Sequence, residues 1–178
     1  EAFNLLENLL RWTRNQNGKT KIYATLFNLT PVARQVVSLF SAIANAKEIE
    51  LINRIEGKFD IFADEDMIKT VLRNLISNAI KFTYTGGQVE LSLADSGDYW
   101  TIYVKDNGKG IPKDLQAHLL KSDEYITTYG THNEKGSGLG LILCRDFIRM
   151  NKGKLHFYSQ EGIGTTFYFT IPKASSSA

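Results

Sequence analysis

From Asp64 to Thr83 the chain reads DEDMIKTVLRNLISNAIKFT, with Ile68, Val71, Leu72, Leu75, Ala79 and Phe82 recurring at steps of three and four. That spacing predicts one amphipathic helix with a broad apolar face. At about 100° per residue, Asn74, Asn78 and Lys81 fall in one polar stripe along the edge of that face. Before it, Lys21 to Phe27 alternates and predicts a strand. Pro31 opens a helical pattern after Thr30, with Val36, Phe40, Ile43 and Ala44 as the apolar positions of Val32 to Ala46. Ile49 to Ile55 and Asp60 to Ala63 read as short strands around the Glu56-Gly57 turn. Beyond Thr85-Gly86-Gly87, the alternation of Val89, Leu91 and Leu93 is answered by Trp100, Ile102 and Val104 across Ser96-Gly97-Asp98, which predicts a hairpin ending at Asp106.

Pro112 to Lys121 suggests a short helix, and Ser122 to Lys135 is polar and aperiodic, a long loop of the kind that usually carries function. Leu139, Leu143, Phe147 and Met150 give another helix, which Asn151 and Gly153 can end. Leu155 to Tyr158 and Thr165 to Ile171 read as strands around Glu161-Gly162, closed by Pro172. At the start, Phe3, Leu6, Leu9, Leu10 and Thr13, widened by Leu5 and Trp12, predict a short amphipathic helix over residues 2–15 that cannot bury its face alone. Helices and strands intermingle and hairpins dominate the second half. The expected fold is α/β, a two-layer sandwich whose mixed, mostly antiparallel sheet is covered on one face by helices.

Composition adds limits. A chain of 178 residues suits one well-buried domain plus an appendage, and 43% hydrophobic with 22% charged residues is ordinary for a soluble globular protein. The net charge of +2 points to no nucleic-acid partner and no anionic membrane. Cys144 is the only cysteine, which excludes an internal disulfide and a cysteine-rich zinc site; its helical setting fits a small buried hydrophobe. No run approaches the 18 or so apolar residues of a membrane span. The chain begins at Glu1 without methionine, as expected of an excised or processed piece. Asn28-Leu29-Thr30 matches the glycosylation pattern and is treated as accidental. Gly18-Lys19-Thr20 is not a P-loop, because Thr13 stands where the leading glycine belongs.

Three segments carry chemistry. Two carboxamides and an ammonium on one helix face, Asn74, Asn78 and Lys81, suit a hydrated metal–phosphate group, and serve equally as the solvated side of a core helix. Asp106-Asn107-Gly108-Lys109-Gly110 follows the predicted hairpin, and Gly136-Ser137-Gly138-Leu139-Gly140 opens a helix, where free backbone N–H groups form an anion site. The order NLISNAIKFT, DNGKGI, GSGLGL resembles the N, G1 and G2 boxes of the ATP-binding domain of sensor histidine kinases, in the GHKL-type superfamily shared with gyrase, Hsp90 and MutL. The resemblance covers roughly residues 20 to 172.

The resemblance implies a Bergerat-type fold that binds ATP and Mg²⁺. Asn78 is then the Mg²⁺ ligand, with Asn74 a possible second, and Lys81 meets phosphate. Asp106 reads the base: a carboxylate accepts from the amino group of adenine and not from a guanine carbonyl. Gly108, Gly110 and Ile111 lie against the nucleotide, and Thr165 helps hold adenine. Gly136, Gly138, Leu139, Gly140 and Leu141 close on the triphosphate, with Lys135 and Thr131 in an ATP lid. Lys109 and Lys113 are read as surface. Two departures stand out. Leu120 occupies the position where the family often has the phenylalanine of its F box. Asn74 stands where gyrase-like and Hsp90-like relatives carry a glutamate or are otherwise equipped to activate water, and an amide is no general base.

The site is therefore expected to hold ATP for an external nucleophile. None of His118, His132 and His156 has an H-box context, so the acceptor histidine is expected upstream. The implied organisation is residues 1–18 as the end of a dimerisation-hairpin helix, 19–173 as the catalytic domain and 174–178 as a tail. The implied partners are a histidine-containing dimerisation domain, a response-regulator receiver domain and a second copy in the full-length homodimer. The implied location is a cytoplasmic domain of a membrane-bound sensor. An ATPase or serine kinase of the same superfamily, or a non-catalytic nucleotide-binding module, are the alternatives.

Overall fold

The computed structural model describes residues 21–119, 130–132 and 139–174. The helix expected over residues 2–15, most of the loop from Ser122 to Lys135, Leu120, and all of the tail but Ala174 lie outside them. In chain order the elements are β1 (Thr25–Asn28), α1 (Leu29–Ala46), β2 (Glu50–Asn53), β3 (Asp60–Ala63), α2 (Glu65–Phe82), β4 (Gln88–Ser96), β5 (Tyr99–Asp106), α3 (Lys113–Gln116), α4 (Gly140–Met150), β6 (Leu155–Gln160) and β7 (Gly164–Pro172).

Five strands form one sheet in the order β2-β4-β5-β7-β6, parallel between β2 and β4 and antiparallel elsewhere. β1 and β3 pair antiparallel as a separate two-stranded sheet. Alternate residues of the strands, among them Val89, Leu91, Ile102, Val104, Phe167, Phe169 and Ile171, are buried against the helices. The opposite face carries a ladder of rings, Tyr103 and His156 each stacked on Tyr168. This is the expected two-layer α/β sandwich.

α2 packs between α1 and α4 and is the spine of the helical layer. Ile68, Val71, Leu72, Leu75 and Ile76 are fully buried, each contributing roughly 1.5–3 kcal/mol of transfer free energy. Its N-cap is Asp64, whose Oδ1 accepts from the Met67 N–H at 3.1 Å. The Asp64 N–H in turn donates to Asn151 Oδ1 at 2.7 Å, just past the end of α4. Gly140, the first residue of α4, lies against Asn74 in the middle of α2. α4 therefore runs antiparallel along α2, and Cys144 is buried between them, its thiol near the Val71 carbonyl.

Three local expectations change. α1 starts at Leu29, because the Asn28 side chain accepts from both Thr30 N–H and Phe59 N–H and so caps the helix earlier than the Thr30-Pro31 pattern suggests. Ile43 of α1 is 56% exposed, outside the core stripe. β2 and β3 flank the Glu56-Gly57 turn but do not pair: one joins β4 and the other joins β1.

Candidate functional site

A cavity of about 440 Å³ opens between α2, the segment after β5, the start of α4 and the β6–β7 turn. The helical period brings Asn74, Asn78 and Lys81 into its wall together. Their helix ends against the segment after β5: the Phe82 carbonyl accepts from Lys109 N–H at 3.0 Å. From Asn74, beside Gly140, to Phe82, beside Lys109, the helix rises about 12 Å. The cavity thus has two chemically distinct ends joined by one helix face.

At the Phe82 end stands Asp106, the last residue of β5, in register with Val89 on one side and Thr165 on the other. It is only 7% exposed. Its Oδ1 accepts from Gly108 N–H at 2.9 Å and from Thr165 N–H at 3.2 Å. Burial pushes its pKa up to about 6, while the two backbone donors oppose that rise. Both donors address Oδ1, so Oδ2 is the oxygen left to meet whatever enters the cavity. Thr165 also lines the wall, as do Ile111, Leu115, Leu119 and Phe167, which make this end largely apolar. Such a pocket, apolar with a few convergent acceptors, suits a flat base bearing an amino donor.

At the other end, Gly140 and Leu141 line the cavity at the first turn of α4. Among the described residues no side chain caps this helix. A helix start turned toward the cavity can present its first N–H groups to an anion. Asn74 donates from Nδ2 to the Thr70 carbonyl of its own helix at 2.9 Å, which turns Oδ1 outward. A Cβ on residue 140 would sit 2.8 Å from that oxygen, so any larger residue there would push the Asn74 amide aside. The Lys81 ammonium lies 4.8 Å from the centre of the Phe82 ring, and the Lys109 ammonium lies 5.0 Å from the same ring. Two cations thus flank one aromatic wall.

The carbonyls at the end of α2 are taken by groups from distant segments. Buried Lys47 donates to the Ile80 and Lys81 carbonyls at 2.9 and 3.0 Å. Thr131 donates from its N–H to Lys81 O at 3.1 Å and from its hydroxyl to Thr83 O at 2.8 Å. Thr131, expected in the lid near the phosphate, hydrogen-bonds the end of the helix that carries Lys81 and is not among the residues lining the cavity.

Of the expected site residues, the cavity collects Asn74, Asn78, Lys81, Asp106, Gly110, Ile111, Gly140, Leu141 and Thr165. Leu139 is buried just behind the start of α4. Lys135, Gly136 and Gly138 lie outside the described residues. Gly108 is not in the wall, and a Cβ there would strike the Phe82 carbonyl; at Gly110 it would strike the Gln160 carbonyl. Both glycines serve backbone-to-backbone packing of the protein itself, not only approach of a ligand. Lys109, read as surface, is part of the wall, as are Phe82, Tyr84, Leu115, Leu119 and Glu161. Their sequence trace was slight: Leu115 and Leu119 stand four apart, and Phe82 already closed the apolar stripe. His118, His132 and His156 are not among the wall residues.

Residues 63–175 match the family described as histidine kinase-, DNA gyrase B-, and HSP90-like ATPase. The chain is 30% identical over 170 residues to the adaptive-response sensory kinase SasA of Crocosphaera subtropica, an alignment that spans 94% of this chain and 44% of that protein. It spans less than half the length of the curated relatives it matches. Among solved structures, the nucleotide-free catalytic domain of histidine kinase ThkA is 31% identical with a TM-score of 0.72, over 85% of this chain and 96% of that one. ThkA is also solved in complex with the response regulator protein TrrA, at 25% identity and a TM-score of 0.74, over 99% of this chain and 50% of that one. Full-length ShkA in complex with AMPPNP is 27% identical with a TM-score of 0.79, over 96% of this chain and 35% of that one.

Proposed function

Because the chain belongs to the histidine kinase-, DNA gyrase B-, and HSP90-like ATPase family, we propose that it is the ATP-binding catalytic domain of a sensor histidine kinase. It passes the γ-phosphoryl group of ATP to a histidine on a dimerisation domain outside this chain. The observation that carries this reading is one cavity with an amino-reading carboxylate, Asp106, at one end and a helix start beside Asn74 at the other. The base lies against Phe82 and Ile111, with its amino group on Asp106. The polyphosphate reaches the first turn of α4, where backbone N–H groups and Lys81 meet its charge. Lys135, Gly136 and Gly138 belong to the same phosphate-binding segment.

Asn78 holds Mg²⁺, with Asn74 beside it. Among the described residues no group of three His, Cys, Asp or Glu side chains could bind a metal by itself. Carboxamide oxygens fit a hard cation that draws the rest of its shell from phosphate and water. Bound there, the ion would neutralise charge on the transferring phosphoryl group. Asn74 supplies no base to activate water, which favours kinase over ATPase. The carboxylate of Asp106 is held at the base end by two N–H groups.

Residues 1–18 are proposed as the end of a dimerisation helix, 19–173 as the catalytic domain and 174–178 as a tail. A response-regulator receiver is the later phosphoryl acceptor, and the ThkA–TrrA complex supports that class of partner. The intact protein is proposed to be a homodimeric membrane-bound sensor with this domain in the cytoplasm. Among the described residues no helix is long and apolar enough to cross a membrane.

Radiolabelled ATP tests the reading. This chain alone should show only slow background hydrolysis, because phosphoryl transfer needs donor and acceptor aligned. Adding a separate dimerisation domain with its H box should yield acid-labile phosphohistidine on the added domain. Strong acid-labile labelling of this chain alone, lost on changing His118, His132 or His156, would refute the missing acceptor.

A further inference from the structure

We propose that Ser159, outside the cavity wall, is a positioning residue for base selection: it fixes the hydroxyl of Thr165 as an acceptor, so that the base end offers acceptors only and favours a 6-amino purine over a 6-oxo purine. The inference rests on the reading of the cavity as a purine nucleotide site.

It follows from counting protons. Ser159 sits on β6 in register with Thr165 on β7. Its Oγ has three contacts: Ile111 N–H at 2.9 Å, Gly164 O at 3.0 Å and Thr165 Oγ1 at 2.8 Å. An amide N–H can only donate and a carbonyl oxygen can only accept. The single hydroxyl proton of Ser159 must therefore go to Gly164 O, since otherwise two oxygens face each other at 3.0 Å with no proton between them. With its proton spent there and one lone pair on Ile111, Ser159 completes its set by accepting from Thr165. The Thr165 hydroxyl proton thus points away from the cavity, and Oγ1 presents lone pairs only.

Asp106 Oδ2, the oxygen its two backbone donors leave over, is the second acceptor. A 6-amino group brings two hydrogens to such a pair. A 6-oxo group brings lone pairs and meets lone pairs. Excluding the wrong ligand by unpaired polar groups is the strong form of discrimination.

Ser159→Ala releases the Thr165 proton to the cavity. Isothermal titration of this chain with Mg²⁺-ATP and Mg²⁺-ITP, whose base is the 6-oxo hypoxanthine, reads the effect as an affinity ratio. Ser159→Ala should lower the ATP:ITP preference by about fivefold or more, the worth of one hydrogen bond. Ser159→Thr keeps the hydroxyl and should hold the wild-type ratio. In a Thr165→Val background Ser159→Ala should leave the ratio unchanged, since no proton remains to redirect. Equal weakening of ATP and ITP in Ser159→Ala would make Ser159 merely structural and overturn the inference, while leaving the nucleotide site standing. Should Ser159→Ala not fold, Thr165→Val alone decides: an unchanged ratio overturns the inference. Wild-type chain that binds neither nucleotide overturns the underlying reading as well.

Discussion

Asp106 pairs burial with a carboxylate, and the apo fold bears the cost. Its pKa stands near 6 in the folded chain against an ordinary value of 3.8. A raised acid pKa means the folded state holds the proton more tightly than the unfolded state. Its share of stability is therefore full below about pH 4 and is lost as pH rises through about 6. Asp106→Asn keeps an oxygen for the Gly108 and Thr165 N–H groups and removes the charge. Thermal unfolding of the ligand-free variant should show a gain of roughly 1–2 kcal/mol at pH 7.5 and none near pH 4. The same change should cost ATP about tenfold or more in affinity, because the new amide aims a donor at the amino group. A stability gap between wild type and Asp106→Asn that does not widen from pH 4 to pH 7.5 would contradict this account. The Asp106-to-Gly110 run was legible because residue types announce turn and acceptor. Lys109 reads as surface in the sequence because only the fold brings its ammonium over Phe82. Ser159 had no local mark at all, since its partners lie 48 residues back at Ile111 and 6 ahead at Thr165.

α2 is the element the sequence described best. Its predicted limits and its structure agree because both caps are local, Asp64 bonding Met67 and the Thr83 hydroxyl bonding Ala79 O. The polar stripe is a consequence of period alone, and so Asn74, Asn78 and Lys81 were found together. α1 was misplaced by three residues because half of its cap bonding comes from Phe59 N–H, across the chain. Lys47, which grips the end of α2 from outside the helix, carried no periodic signature. The stripe also makes Asn78 testable without disturbing the fold, since alanine is at least as good a helix former as asparagine. Asn78→Ala should lose the Mg²⁺-dependent part of ATP affinity, about tenfold or more, while Asn78→Asp retains an oxygen and a Mg²⁺ response. Titration with and without Mg²⁺ checks this. An undiminished Mg²⁺ effect in the alanine variant would assign the ion elsewhere.

Over the whole molecule, sheet class was legible and strand pairing only partly so. The β4–β5 hairpin was visible because its turn is tight and its alternation clean. β2 and β3 looked like neighbours but went to different sheets, since periodicity says which face is buried and not which strand lies alongside. The site draws on residues from Asn74 to Phe167, so no part of the chain could have shown it complete. One consequence belongs to the molecule and its solvent together. Near pH 6 a substantial fraction of empty sites carries a proton on Asp106. An amino group arriving as donor needs the bare oxygen, so binding should expel that proton into the buffer. Calorimetry at pH 6 in two buffers of different ionisation heat should then give two different apparent enthalpies for the same affinity. Above the proton release that the nucleotide itself contributes, the difference should vanish by pH 8 and be missing in Asp106→Asn. Identical enthalpies in both buffers at pH 6 would mean that no proton leaves. By the same linkage, ATP affinity should decline as pH drops below 6: the domain would take up nucleotide and acidify its surroundings in one step.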